Sequence, residues 1–144
     1  MGHSPLLGPV VALVAWSLVM LVWMAVARAG AFRRLGVKLS TIPRGSRGHA
    51  LDQAGEDRAQ WKAHNYNHLM EQPTIFYAIV LALAIMGFDA WINVALAWGY
   101  VGLRIAHSIV QATVNIVAIR LSLFILSTLC LLGLTLHAAL ALLH

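Results

Sequence analysis

Charge is what this chain has least of. Asp, Glu, Lys and Arg make up 10% of its 144 residues, against about 25% in an ordinary soluble domain. Acids are the scarcer sign: Asp52, Glu56, Asp57, Glu71 and Asp89 are all there are, and no run of them offers a cation path. Cys130 is the only cysteine; it has no partner for a disulfide within the chain and reads as a small buried apolar residue. No HExxH is present, and His64 and His68, four residues apart, find no third ligand nearby, so no metal site is expected. Ser108 and Ser122 lack a recognisable base and orienter, which leaves no serine nucleophile to assign. Internal repeats and low-complexity segments are missing as well.

What fills the chain instead is apolar: 60% of residues are hydrophobic. Pro5 to Ala27 contains no charge across 23 residues, more than the roughly 20 that cross a hydrocarbon core of about 30 Å. It has no basic segment ahead of it and is longer than the core of a signal peptide, so it reads as a retained span. Gln72 to Phe88 adds an uncharged run, Ala90 to Ala118 is interrupted only by Arg104 and His107, and Leu121 to His144 carries no Asp, Glu, Lys or Arg. The expectation is an all-α integral membrane protein: one four-helix up-down bundle with helices about 5–28, 56–88, 90–114 and 117–143, and a loop about 29–55. Trp23, Trp61, Trp91 and Tyr100 are candidates for an interfacial aromatic belt.

The net charge of +5 does not point to nucleic acid, because of where the cations lie. Arg28, Arg33, Arg34, Lys38, Arg44, Arg47, Arg58 and Lys62 all fall in or beside the first loop. Lys and Arg resist translocation, so that loop is expected on the cytoplasmic side with both termini outside, where the cluster also attracts anionic lipid head groups.

Polar residues inside a span are costly and mark function or a partner. In the third predicted helix Arg104, His107, Ser108, Gln111 and Asn115 recur at three- and four-residue steps, which places them on one face within about 100°. In the second, His64, Asn67, His68 and Glu71 share a face by the same spacing, and the two stripes are expected to face each other. Arg120 opens the fourth helix at the same end. Glu71, Arg104 and Arg120 together leave one cation uncompensated, a natural place for an anion. A Glu71–Arg104 ion pair that only holds the bundle together remains open beside that reading.

The segment from Asn65 through Tyr66, Asn67, His68, Leu69, Met70, Glu71, Gln72 and Pro73 to Tyr77, followed by Arg104-Ile105-Ala106-His107 and then Arg120, resembles the MAPEG family, the membrane-associated proteins in eicosanoid and glutathione metabolism. The resemblance runs from about Lys62 to the C-terminus and suggests a bacterial-type member of the inner membrane. It implies a homotrimer with glutathione bound between subunits as cosubstrate and a lipophilic small molecule as its electrophile. By the same resemblance Arg120 is the catalytic residue, favouring the glutathione thiolate. Glu71 holds the ligand's amino end or pairs with Arg104, His107 lines the site, and Arg28 meets a ligand carboxylate. Asn65, Asn67, His68 and Gln111 complete the ligand-binding set. The chain departs from the family's pattern at His68, Gln111 and Phe124, where an Asn and two Tyr are usual. Those departures carry the alternative: a non-catalytic trimeric membrane protein that binds another anionic amphiphile or a protein partner.

Overall fold

The computed structural model describes residues 2–43 and 57–143. Arg44, Arg47 and Glu56, and with them residues 44–55 of the expected loop, lie outside the described residues. The fold is all-helical, a bundle of four helices with no strand among the described residues. Helix α1 spans Leu7–Arg34, α2 Asp57–Met70, α3 Gln72–Ile85, α4 Trp91–Thr113 and α5 Val117–Leu143; α2 and α3 together form the second member of the bundle.

Two boundaries differ from expectation. Helix α1 does not stop near 28 but continues through Arg34. Gly30 is followed by Ala31, Phe32, Arg33 and Arg34, none of which opposes helix, and cations suit a helix C-terminus. The stop comes at Gly36, whose φ of 64° only glycine adopts freely, with Val37 N–H donating to Phe32 O at 3.0 Å in a Schellman closure. The second expected helix is broken at Glu71 (φ −90°, ψ −97°). Pro73 has no N–H for the Leu69 carbonyl and its ring crowds that turn, so α2 ends and α3 restarts, with Thr74 N–H donating to Glu71 O at 3.1 Å.

Three members of the bundle, Leu7–Arg34, Asp57–Ile85 and Val117–Leu143, are long and apolar enough to cross a membrane. Helix α4 is not among them, and its packing shows why it need not be: it touches α1, α2 and α5, and its polar residues Asn93, Arg104, His107, Ser108 and Gln111 are all buried. The neighbours take the lipid. Val11, Val22, Ile85 and Leu142 are each more than 60% exposed, a surface that water would not tolerate and hydrocarbon does. The interior is built on Leu6, Leu13 and Met20 of the α1 side, Phe76, Val80 and Leu83 of α3, and Leu131 and Leu134 of α5. Tyr100, expected at the interface, instead lies in this core with its ring stacked on Phe76 at 4.2 Å. Its hydroxyl donates to Gln72 Oε1 at 3.3 Å, and Gln72 Nε2 donates to Thr128 Oγ1 at 2.9 Å.

Turns after α3 and α4 are short and glycine- or asparagine-centred. Gly87 sits at φ 67° and Asn115 at φ 52°. Asn is among the few L-residues that enter this region readily, and Asn115 N–H closes α4 onto Val110 O at 2.7 Å. Because the connection is so short, α5 runs back along α4, which places the start of α5 beside the end of α4.

Candidate ligand cleft at the start of α5

That return brings Arg120 next to His107, and the break at Glu71 brings His68 to the same point. His68, His107, Val117, Arg120, Leu121 and Phe124 line a cleft of about 220 Å³. The His68 and His107 rings meet edge to face at 6.1 Å, and His107 lies 6.4 Å from the Phe124 ring. The lining combines imidazole and guanidinium with aliphatic and aromatic carbon. Such a lining suits a ligand with an anionic or polar end and an apolar end.

Arg104 supports this wall from behind. Its side chain is 1% exposed, its Nη2 donates to the His68 carbonyl at 2.8 Å, and its guanidinium lies 5.8 Å from the Phe124 ring. The last carbonyls of any helix lack intrahelical donors and carry the negative end of its dipole, so a cation at the end of α2 is placed where the backbone favours it. Its Nε and Nη1 are buried without a protein partner among the described residues. The Glu71–Arg104 ion pair, an open alternative from the sequence, is not formed. Glu71 is 66% exposed and pairs with His68, Nδ1 to Oε2, at 3.2 Å.

The stripe on α2 is also rotated from expectation. Ala59, Gln60, Ala63, Asn65 and Leu69 are its buried positions, while His64, Asn67 and Glu71 point away from the protomer. Only His68, at the edge of the stripe, meets α4. Small Ala59 and Ala63 allow close approach to its neighbours, and Ala59 packs against Ala31 of α1. Periodicity identified the polar face; the alanines decided which way it turned.

Of the remaining expected residues, Asn65 and Gln111 sit in the interior and Arg28 and Arg120 are partly buried. Asn65, fully buried, donates from Nδ2 to Ser108 Oγ at 2.6 Å. Gln111 is 2% exposed, and its Oε1 finds no partner among the described residues. Arg28 reaches Gln60 Oε1 with Nη2 at 3.4 Å, joining α1 to α2, and its Nε is buried without a partner. None of these three lines the cleft. Arg120, half-buried, donates through Nη1 to Asn115 Oδ1. Sequence reasoning placed Asn115 on the α4 stripe and at the start of the short connection to the next helix, and missed this role. An Asn closing one helix five residues before an Arg in the next was the available signal, since Asn favours such turns. Val117, about one turn before Arg120, and Leu121, the residue after it, were missed because apolar positions in a membrane helix are unremarkable.

A model of the MAPEG family matches residues 6–140. No curated protein and no solved structure matches the chain.

Proposed function

The chain belongs to the MAPEG family, and from that membership and the cleft between His68, His107 and Arg120 we propose a glutathione-dependent transferase or peroxidase acting on lipophilic electrophiles. The observation that carries this reading is the convergence of two imidazoles and one guanidinium on a cleft also lined by Val117, Leu121 and Phe124. Arg120 is the catalytic residue: an adjacent cation favours the thiolate, which is the nucleophile. In transfer, the thiol proton is lost to water, the sulfur forms a bond to the electrophilic carbon, and the leaving group departs with the bonding pair. In peroxide reduction, the thiolate takes one oxygen, the alcohol leaves, and a second glutathione gives the disulfide and water.

His68, His107 and Glu71 stand at the cleft and its rim, and Arg104 keeps two buried nitrogens without a protein partner among the described residues. Arg28, Asn65, Asn67 and Gln111 belong to the ligand set through a second subunit or a rearranged first one. A homotrimer supplies the former: the outward polar strip His64, Asn67 and Glu71 sits on a membrane helix, where polar groups seek protein partners. The basic α1–α2 end, with Arg33, Arg34 and Arg58, faces the cytoplasm of a bacterial inner membrane, and both termini lie outside.

Calorimetric titration of the purified protein with glutathione tests the reading, and absence of binding at millimolar concentration refutes it. A second reading is a non-catalytic binder of another anionic amphiphile. Phe124 favours it, because its ring brings to the cleft no hydroxyl to hold a sulfur or a peptide carbonyl. Binding of an anionic single-chain lipid with no response to glutathione would establish that reading in place of the first.

A further inference from the structure

At the far end of α4 from Arg120, a second polar cluster is built around Asn93, which is 0% exposed. Its Nδ2 donates to the Phe88 carbonyl at 3.1 Å. A carbonyl only accepts, so this contact fixes the amide: Oδ1 is the atom that faces His137 Nδ1 at 2.6 Å. Oδ1 only accepts in turn, so His137 Nδ1 carries the hydrogen. The hydrogen-bond network thereby assigns the tautomer, and an uncharged His137 presents its Nε2 lone pair. That atom has no protein partner among the described residues.

His137 lines a cleft of about 220 Å³ with Phe88, Ala90, Ile92 and Leu140. Phe88 and Leu140 are also walls of a neighbouring cleft of about 500 Å³, completed by Met86, Ala141 and Leu142. One acceptor thus stands in an otherwise apolar lining, with an apolar trough beside it. Asp89, held by Ser4 Oγ at 2.6 Å, lies between Phe88 and Ala90 and puts a carboxylate near the rim, which disfavours an anionic head group. Asn93 and Asn115 are 22 residues apart, roughly 33 Å along α4 at 1.5 Å per residue, so this place shares no wall with the cleft at Arg120.

We infer that His137 and the paired clefts form a second ligand site, for a neutral long-chain amphiphile whose hydroxyl donates to His137 Nε2 while its chain lies along Phe88 and Leu140. Two sources offer that chemistry: a monoacylglycerol of the membrane, or a foreign lipophilic alcohol or phenol. The site stands whether or not the chain uses glutathione.

The test is binding of 1-dodecanol, its methyl ether, monododecanoylglycerol and 4-nonylphenol to the full-length protein at pH 8, measured by native mass spectrometry and competition. An amine-oxide detergent is used because it donates no hydroxyl. At least one hydroxyl compound is expected to bind about five-fold more tightly than the ether, the worth of one net hydrogen bond of about 1 kcal/mol. His137→Asn keeps an N–H near Nδ1 for Asn93 but has no acceptor at the Nε2 position, and it should reduce that preference to none. Selective binding of monododecanoylglycerol identifies a glycerolipid, and selective binding of the alcohol or phenol identifies a foreign lipophile; either supports the inference. Binding of the ether equal to that of all three hydroxyl compounds by the wild-type protein overturns it even if the variant fails to fold, and so does an unchanged preference in a folded variant.

Discussion

Asn115 performs two tasks that substitution can separate: it holds a left-handed backbone (φ 52°) and accepts a hydrogen bond from Arg120. Asn115→Ala removes both. An L-residue other than Asn or Asp in that region costs roughly 1–2 kcal/mol. The bond to a charged group, discounted because Arg120 is half-exposed, is worth about 1 kcal/mol, so alanine should cost roughly 2–3 kcal/mol. Asn115→Gly keeps the turn and loses only the bond, with about 0.5 kcal/mol added for glycine's freedom in the unfolded chain, giving about 1.5 kcal/mol. Thermal unfolding in detergent reads the order, at about 2–4 °C per kcal/mol for a chain of this size. Repeating Asn115→Gly in an Arg120→Ala background should recover about 1 kcal/mol as coupling. Additive costs in that cycle refute the claim that Asn115 holds Arg120, and equal melting of the Ala and Gly variants refutes the claim that the turn needs a left-handed residue.

Arg120→Ala is expected to abolish turnover of glutathione with a generic electrophile while melting within a few degrees of wild type; retained turnover reassigns Arg120 to structure. Gly87→Ala meets open space but adopts φ 67°, so it should cost about 1 kcal/mol from the backbone alone, and a melting point equal to wild type contradicts that. Asn65→Ala leaves the buried Ser108 hydroxyl without its partner and should cost about 2 kcal/mol. Adding Ser108→Ala then costs little more, whereas fully additive losses would show the two side chains to be independent.

The bundle was legible because lipid imposes a rule that sequence cannot hide: long uncharged runs, with the polar residues of α4 enclosed by other helices. Arg104, His107, Ser108 and Gln111 lie on one face of α4 by spacing alone, and all four are buried. The facing partner was not legible. On α2 the same arithmetic named His64, Asn67, His68 and Glu71, but a helical period fixes only relative angles, and the rotation was set by Ala59, Ala63 and Leu69 packing inward. Glu71 therefore points out, and its ion pair is with His68 rather than Arg104. Pro73 was not read as a break in the helix expected over 56–88, and Glu71 takes the distortion two residues before it. Gly30 and Gly36 look alike in sequence, and only the second ends α1, because only there does a following N–H find a free carbonyl.

Arg104 carries the sharpest energetic tension in the molecule. A buried guanidinium loses several kcal/mol of hydration, and the bond from Nη2 to His68 O, even if charge-assisted, returns about 1.5–3 kcal/mol. Nε and Nη1 return nothing within the protomer. Replacing the side chain by an apolar one of similar length removes the lost hydration together with the bond, and such exchanges are often neutral. Arg104→Met should therefore shift unliganded stability by less than about 1 kcal/mol. The difference should appear with ligand: at one hundred times its wild-type dissociation constant, glutathione stabilises the wild-type protein by about 2.7 kcal/mol, and the variant should gain less than about half of that. A loss of about 3 kcal/mol or more without ligand would make Arg104 a cap for α2 and nothing else. An undiminished gain with glutathione would mean that no ligand atom reaches its free nitrogens.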